Sequence, residues 1–181
     1  MRAAAGAQPF RRGAVLIRLL VVTLGLLLAA CASYDGRGLR PGESRIEHVE
    51  GLMGAPALRW TDSDGGQQLA YPRGPAGFHT YMVRIGADGR LNSIENVLDL
   101  PHLARVRPGM TTEQVLRTLG PPDERVTMYF PARDEMAWDW RFMEGFLQPM
   151  RMIVLFDATA GTVRSTMYQP EEWASVHRVG L

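Results

Sequence analysis

The stretch "RPGMTTEQVLRTLGPP", which runs from Arg107 to Pro122, has an echo earlier in the chain, "RPGESRIEHVEGLMGAP", from Arg40 to Pro56. Both contain an Arg-Pro-Gly turn, a hydroxyl residue, apolar residues at helical spacing, and then Gly and Pro. The spacing predicts a short helix in each copy. The final Gly can take the left-handed conformation that ends a helix, and the following Pro cannot continue one. The repetition therefore predicts that one folding unit occurs twice.

Each predicted helix begins with the sequence of a capping box. Glu47 follows Ser44 by three residues, and Gln114 follows Thr111 by the same interval. In such a pair the hydroxyl accepts a hydrogen bond from a free N–H of the first turn, and the Glu or Gln side chain reaches back to the N-cap. Ser44 and Thr111 are thus the predicted N-caps. Helices of about nine residues are unstable alone, so both need an apolar surface to pack on.

A strand-rich segment follows each helix. After the first come "QQLAYPRG" and "FHTYMVRIGADGRLNSIENVL", and after the second come "MAWDWRF" and "PMRMIVLFDATAGTVRSTMY". Alternating apolar residues predict half-buried strands, and Asp88-Gly89 is a strong hairpin signal. We therefore predict an α+β fold of two repeats, 39–100 and 101–170, each a short helix packed on a meander of about three antiparallel strands. The two sheets would lie side by side, with helices on one face and the other face open to a partner.

Two further segments complete the predicted folded body. The stretch "LDLPHLARV", between the repeats, predicts a short extra helix that is broken near Pro101. Residues 171–181 are predicted as a C-terminal tail, which is either a last helical turn or loose.

The first thirty residues differ in composition from the rest of the chain. They contain four arginines and no acidic residue. Their apolar core, Leu19 to Ala30, contains no charged residue, is shorter than the about 20 residues that span a bilayer, and has a length typical of a signal peptide. The core ends in "LAAC", which matches the lipobox of bacterial lipoproteins. We predict a signal peptide over residues 1–30 that is cleaved between Ala30 and Cys31.

Cys31 is the only cysteine, which excludes a disulfide within the chain. Its thiol is the group that receives the diacylglyceryl chains of a lipoprotein, palmitate among them, and these would anchor the protein to a membrane. Ala32 follows it, and the absence of Asp at this position favours the outer membrane. Residues 31–38 are small, polar and Gly-rich, so they predict a tether between the lipid and the first folded element.

The charge of the folded part excludes one class of partner. The 181 residues include 20 basic residues, all of them arginine, and 19 acidic residues. Four of the arginines precede residue 31, so the rest of the chain carries 20 − 4 = 16 arginines against 19 acids, a net charge of −3. A weakly acidic body lacks the basic face that nucleic-acid binding needs. The prediction is therefore no nucleic-acid partner.

Catalytic and metal-binding patterns are weak. The segment "TDSDGG", Thr61 to Gly66, lacks the bidentate Glu of a calcium loop, so a hairpin turn is favoured. The four histidines are scattered and there is no second cysteine, which speaks against zinc. Asp134, Glu135 and Asp139 form either a paired acid site or the solvated ends of a strand, and we favour the second interpretation. The prediction is a protein with no catalytic residues, metal or cofactor.

An aromatic cluster in the second repeat has two interpretations. Trp138, Trp140 and Phe142 alternate, so they share one face of a strand, and Phe146 follows close by. This face is either the core beneath the second helix, which we favour, or, together with Phe146, a candidate surface for partner binding. Aromatic and Met side chains adapt well to protein partners.

The second repeat resembles the BamE domain, also called SmpA/OmlA, of small bacterial outer-membrane lipoproteins. The residues that carry the resemblance are Gly109, Met110, Thr111, Val115, Leu119, Gly120, Pro122, Trp138, Trp140 and Phe156. The first repeat keeps only Gly42, Ser44, Gly54 and Pro56, and it has one more residue between its two glycines. In this motif Gly109, Thr111, Gly120 and Pro122 are structural determinants. In tandem, the domain resembles the architecture of the β-lactamase inhibitor protein.

The resemblance implies a role as well as a fold. It implies an outer-membrane lipoprotein that faces the periplasm and acts as a non-catalytic binding or scaffold module in envelope biogenesis. Its partners would be the membrane, through the lipid, and other envelope proteins, with the β-barrel assembly machinery as one candidate. The alternative is a periplasmic inhibitor or sensor module that binds a soluble enzyme, which is an analogy at the level of the fold alone.

Overall fold

The computed structural model describes residues 35–74, 77–145 and 148–171, all within one compact unit, Tyr34–Leu181. Ala30, Cys31, Phe146 and residues 172–181 lie outside the described residues. The helices are α1 (Ile46–Met53), α2 (Leu100–Leu103) and α3 (Thr112–Leu119). The strands are β1 (Leu58–Thr61), β2 (Gln67–Pro72), β3 (Thr80–Ile85), β4 (Leu91–Asn96), β5 (Met128–Phe130), β6 (Glu135–Glu144), β7 (Gln148–Asp157) and β8 (Thr162–Pro170).

The strands form two separate antiparallel sheets, each with four strands in chain order. The predicted α+β class is confirmed. Each sheet has one strand more than the predicted three, because β1 and β5 pair at the edges before the three predicted strands. Both are short, with 4 and 3 residues, and neither is fully buried. β1, with the sequence LRWT, does alternate apolar and polar residues, so the prediction overlooked a signal that is present. β5, with the sequence MYF, has three residues and no alternation.

The duplication extends to individual hydrogen bonds in the loop before each helix. The Gly42 N–H donates to the Leu91 carbonyl oxygen, and the Gly109 N–H donates to the Val163 carbonyl oxygen, both at 2.8 Å. Both glycines have positive φ, 79° and 88°, a conformation that L side chains rarely adopt. Each bond ties the loop before the helix to the last strand of its own sheet.

The same correspondence holds after each helix. The Ala57 N–H donates to the Ala70 carbonyl oxygen at 2.9 Å, and the Asp123 N–H donates to the Asp139 carbonyl oxygen at 3.0 Å. Ala70 and Asp139 belong to the second strand of their respective sheets. The two repeats therefore share one backbone plan, although the side chains at these matched positions differ.

The capping prediction is correct for the second helix and wrong for the first. The Gln114 N–H donates to Thr111 Oγ1 at 3.2 Å, and the Thr111 N–H donates to Gln114 Oε1 at 2.8 Å. The first helix starts one residue later than predicted, with Arg45 at the N-cap and no hydrogen bond from its side chain to the helix. Ser44 Oγ instead accepts the Arg40 N–H at 2.9 Å. The extra residue of the first repeat thus lies in the loop, and both helices have 8 residues.

Two other predicted boundaries are corrected. Pro101 lies in the first turn of α2 and does not break it, since the Asp99 side chain caps this helix by accepting the His102 N–H at 2.9 Å. Proline lacks the N–H that a first turn leaves unpaired, so it is tolerated there. Gly36, within the predicted tether, is buried, and a Cβ on it would lie 2.5 Å from Ile94 Cδ1. The folded body therefore begins by residue 36.

Each helix covers one face of its own sheet. In the first repeat, Val49 and Met53 of α1 pack on a cluster that includes Leu69, Tyr71, Val83, Ile85 and Leu91. In the second repeat, Val115 and Leu119 of α3 pack on a larger cluster that includes Trp140, Phe142, Met152, Val154, Phe156 and Val163. Complete burial of such a side chain contributes about 1.5–3 kcal/mol, which compensates for the low stability of an isolated short helix.

The predicted side-by-side arrangement with two open faces is wrong for the first sheet. Its second face contacts α3, since the Gln68 side-chain amide donates to the Arg117 carbonyl oxygen at 2.5 Å. The Arg117 guanidinium also lies over the Trp60 ring, 5.5 Å from its centroid. Helix α3 therefore packs its apolar side on the second sheet while its polar side contacts the first sheet. Within the described residues, no helix is long and apolar enough to cross a membrane.

Candidate partner-binding surface

The aromatic residues predicted as a candidate partner surface form part of the core. Trp140 and Phe142 are 2% and 0% exposed, and the Trp140 Nε1–H donates to the Gly120 carbonyl oxygen at 3.2 Å. Trp138 is half-buried, with its ring 4.7 Å from that of Phe156. A partner cannot reach Trp140 or Phe142 in this fold, so that prediction is wrong for both, and the core interpretation holds. Phe146 lies outside the described residues.

The motif residues occupy structural positions. Gly109 and Thr111 fix the loop and the N-cap of α3. Gly120 ends that helix with φ 75° and ψ −170°, so the predicted left-handed helical conformation is wrong, and the glycine adopts an extended conformation with positive φ that is essentially restricted to glycine. A Cβ on Gly120 would lie 2.6 Å from Thr80 Cγ2 in the first sheet, so this glycine also permits close approach of the two repeats. Pro122 follows and lines a cleft between them. These placements agree with the structural role predicted for the four residues.

The second sheet has a face that points away from α3, here called the outer face. Five apolar residues alternate with the core residues along β5 to β8 and define this face, namely Met128, Ala137, Ile153, Leu155 and Met167. By the same register, Phe130, Met143 and Pro149 also lie on this side of the sheet. Met128 and Met167 are 52% and 43% exposed, and Ile153 and Leu155 are half-buried. Within the described residues, no hydrophobic core cluster includes any of the five. This surface was not predicted, because the tryptophans of β6 carry the strong sequence signal and the residues between them do not.

Charged pairs border the outer face. Arg164 Nη2 lies 2.7 Å from Asp157 Oδ2, and Arg133 Nη2 lies 2.9 Å from Glu135 Oε1. The Ala160 backbone N–H and the Arg164 guanidinium hold the pKa of Asp157 below its ordinary value. This carboxylate is therefore ionised at neutral pH, and the apolar surface has a charged edge.

The three carboxylates considered as a paired acid site have separate environments. Asp134 has a left-handed backbone, φ 46°, and accepts the Thr159 N–H at 3.2 Å. Glu135 pairs with Arg133. Asp139, which was expected at a solvated strand end, is instead 6% exposed. The paired-acid hypothesis is not supported, and the solvated interpretation is wrong for Asp139.

A cleft of about 490 Å³ lies between the repeats. Leu58, Pro72 and Thr80 line it from the first repeat, and Pro122, Asp123 and Arg141 line it from the second. It runs along the edge of β6 where β5 has ended, since β5 pairs only with residues 135–137. The lining of the cleft thus contains both apolar and charged side chains.

Asp123 is the acidic group on the cleft wall. Its side chain is buried, and both carboxylate oxygens lie 3.0 Å from Arg125 nitrogens. Burial alone would raise the pKa of Asp123, but the hydrogen bonds from Arg125 outweigh burial and hold it below the ordinary value. Asp123 therefore stays charged at neutral pH.

Two arginines and two carboxylates lie on the outer side of β6 and β7 next to the cleft. Arg151 Nη1 lies 2.5 Å from Asp139 Oδ2, and both side chains are nearly buried. Glu171 Oε2 lies 2.7 Å from Arg141 Nη2, and Glu171 Oε1 lies 3.5 Å from Arg151 Nη2. The Arg141 guanidinium also stacks 4.1 Å from the Phe78 ring centroid of the first repeat. No pattern in the sequence marked these residues as a cluster.

A second, polar pocket of about 310 Å³ lies between the first sheet and helices α2 and α3. His102 Nδ1 lies 2.6 Å from Asp99 Oδ1, and Arg117 pairs with Asp62 at 2.8 Å. Burial opposes the charge on Arg117, but hydrogen bonds to Glu113 and Asp62 raise the pKa of Arg117 above its ordinary value. Asp62 thus belongs to a hairpin turn that contacts α3. Within the described residues, no three His, Cys, Asp or Glu side chains are grouped as a metal site would need.

No protein-family model, curated protein or solved structure matches this chain. The resemblance to BamE lipoproteins stays a prediction that rests on the motif residues of the second repeat.

Proposed function

We propose that this protein is a lipid-anchored, periplasm-facing binding module of the outer membrane that holds a partner protein and catalyses no reaction. The observation that carries the proposal is the outer face of the second sheet. Apolar side chains from all four of its strands lie on it, and two of them, Met128 and Met167, are about half exposed. Contiguous exposed apolar residues with a polar rim are typical of protein interaction sites.

The chemistry of the outer face suits a protein partner. Met128 and Met167 are flexible and polarisable, so they can adapt to differently shaped partner surfaces. Ion pairs such as Asp157–Arg164 border the apolar centre, which is the usual arrangement of an interface core and rim. No nucleic acid, metal or cofactor forms part of the proposal. An envelope protein is the proposed partner, and the β-barrel assembly machinery is one candidate.

The anchor would keep this face close to the membrane. Between Cys31 and the buried Gly36 lie 36 − 31 = 5 residue steps. At about 3.5 Å per residue, such a tether spans at most roughly 18 Å. The acyl chains of a mature lipoprotein anchor far more firmly than one chain alone, and a short tether raises the local concentration of the module near envelope partners.

Crosslinking in intact cells tests the proposal. A photo-crosslinking amino acid replaces Met167 on the outer face or, as the matched control, Leu100, which is 45% exposed on α2. We expect envelope proteins to be captured from position 167 and not from position 100. Equal capture from both positions would contradict the proposed face. Capture of one soluble enzyme as the main product would favour the inhibitor or sensor alternative.

The anchor is tested separately. The Cys31→Ser variant should remain an uncleaved precursor without an acyl mass, as measured by mass spectrometry of the intact protein. An Ala32→Ser variant, which leaves the proposed lipid acceptor in place, is the control and should mature normally. Normal cleavage and membrane retention of Cys31→Ser would show that the lipobox prediction is wrong.

A further inference from the structure

Arg141 and Arg151 are direct partners in the register of β6 and β7, and we call them the arginine pair. Their side chains are only 19% and 10% exposed. Like charges directly opposite each other on neighbouring strands destabilise a sheet, and burial increases the cost. Such a pair therefore needs carboxylates close by.

The two arginines differ in how closely the neighbouring carboxylates approach them. Asp139 contacts Arg151 at 2.5 Å, and among the described residues Glu171 is a carboxylate that lies near both arginines. Glu171 is close to Arg141 at 2.7 Å but lies 3.5 Å from Arg151, beyond a good charge-assisted hydrogen bond. The Arg151 Nε–H is buried and makes no hydrogen bond. A buried donor without an acceptor is costly, so Arg151 has donor capacity that neither Asp139 nor Glu171 uses.

The surroundings give a ligand access to this site. Arg141 lines the 490 Å³ cleft, and its guanidinium carbon lies 4.1 Å over the centroid of the Phe78 ring. In this position the guanidinium still reaches a carboxylate, since Nη2 lies 2.7 Å from Glu171 Oε2. Glu171 stands directly after β8, beyond the last strand of the sheet, so its departure would not disturb a strand pairing.

We infer that the arginine pair is a binding site for a carboxylate of an acidic protein segment, and that Glu171 occupies this site as an internal competitor. Planar, buried guanidinium groups favour carboxylates because each can donate two parallel hydrogen bonds. The occupant seen in the structure is itself a carboxylate. The inference rests on the proposed binding function, since the acidic segment would belong to the partner that the module holds.

The competition predicts a specific effect of Glu171. An internal ligand lowers the apparent affinity for an external one, because only the open fraction of molecules binds. Glu171→Gln removes the competing charge and keeps the size of the side chain. Glu144→Gln is the matched control, because Glu144 is exposed at the end of the same strand as Arg141 and its loss changes the net charge equally.

The test is fluorescence anisotropy with the purified mature protein, which begins at the proposed Cys31, and a labelled peptide of five glutamates. A peptide of five glutamines and inorganic phosphate serve as controls for sequence-independent and general anion binding. We expect the Glu171→Gln variant to bind the acidic peptide at least about fivefold more tightly than the Glu144→Gln variant. Adding Arg141→Gln to Glu171→Gln should abolish the gain. Arg141→Lys, which keeps the charge but not the planar fork, should weaken binding if Arg141→Gln does not fold.

Equal binding by Glu171→Gln and Glu144→Gln would overturn the inference. So would a gain that survives the loss of Arg141, or binding of phosphate at the expense of the acidic peptide. A lower melting temperature for Glu171→Gln without any gain in peptide binding would show that Glu171 is only a structural ion pair. These results leave the crosslinking from the outer face untouched, so the two proposals can fail independently.

Discussion

The two repeats share a backbone plan, yet their sheets differ in what covers them. The first sheet has α1 on one face and contacts with α3 on the other, through Gln68 and Trp60. The second sheet packs on α3 with its core face, and none of its outer-face residues joins a core cluster within the described residues. A duplicated fold can therefore leave the proposed binding surface on one copy only, because the helix between the copies contacts both sheets.

The matched positions also differ in charge. Where the first repeat has Ala57 bonded to Ala70, the second has Asp123 bonded to Asp139. Both residues at that position of the first repeat are small and apolar. In the second repeat the carboxylates recruit Arg125 and Arg151, and a charged cleft results. The first repeat is thus the simpler structural copy, which makes it an internal control for the second.

The largest expected difference concerns ion pairs. Arg151→Met leaves the buried Asp139 without its arginine, and the expected loss in the free energy of unfolding is about 3–5 kcal/mol. Arg59→Met in the first repeat breaks the ion pair with Glu50, where both side chains are more than a third exposed, and should cost no more than about 1 kcal/mol. Urea denaturation of both variants measures the contrast.

The cause of that loss can be isolated. In the Asp139→Asn background the buried charge is absent, so Arg151→Met should cost much less than in the wild-type protein. An equal cost in both backgrounds would mean that the arginine stabilises by packing and not by neutralising Asp139.

The second comparison is between the glycines that end α1 and α3. Gly54 and Gly120 have nearly the same backbone, with φ 83° and 75°, so Ala at either position has a conformational cost of about 1–3 kcal/mol. Only at Gly120 does a Cβ meet another atom, Thr80 Cγ2 at 2.6 Å, which adds roughly 1–3 kcal/mol of overlap. Gly120→Ala should therefore lower the melting temperature more than Gly54→Ala does.

Thr80→Ser identifies the steric part of this effect, because serine lacks the Cγ2 atom. In the Thr80→Ser background the difference between Gly120→Ala and Gly54→Ala should shrink. An unchanged difference would refute the close approach of the repeats at this point.

The third comparison concerns the N-caps. Thr111→Ala removes the side-chain cap of α3 and should cost about 1 kcal/mol. Arg45→Ala at the matching position of α1 should cost less than about 0.5 kcal/mol, because the Arg45 side chain makes no cap hydrogen bond. At present the Arg45 N–H donates to His48 Nδ1 over a long 3.5 Å, and the N-cap side chain accepts nothing. The double change Arg45→Thr with His48→Gln completes the capping box on α1, and thermal denaturation should show a gain of about 0.5–1 kcal/mol. No gain would mean that the loop before α1 holds Arg45 away from cap geometry.

Local sequence signals predicted the elements that depend on local physics. The capping box of Thr111, the glycines that end both helices and the Asp88-Gly89 hairpin each depend on residues within a few positions of one another, and all are present. The predicted N-cap Ser44 failed because the extra residue of the first repeat shifts the helix start by one position. A hydroxyl four residues after Arg40 serves the loop equally well.

These local signals could not predict how the helices and the two sheets pack on one another. The spacing of Trp138, Trp140 and Phe142 shows that they share a face but not which face α3 covers. Gly120 of the second repeat lies close to Thr80 of the first repeat, and no local sequence pattern marks a contact between residues so far apart in the chain. The arginine pair is equally hidden, because Arg141 and Arg151 become neighbours only through the register of β6 and β7.

The smallest expected difference is the response to pH of the matched positions Asp123 and Ala57. The folded pKa of Asp123 lies below its unfolded value, because hydrogen bonds from Arg125 outweigh burial. Its contribution to stability is therefore complete well above the unfolded Asp pKa of about 3.9 and is lost as the pH falls through the lower folded pKa.

Asp123→Asn should lower the melting temperature at pH 7, and its difference from wild type should shrink towards pH 3. Ala57→Ser, the control at the matched position of the first repeat, adds no titrating group and should shift stability equally at both pH values. A pH-independent effect of Asp123→Asn would show that the carboxylate acts through its hydrogen-bond geometry and not through its charge.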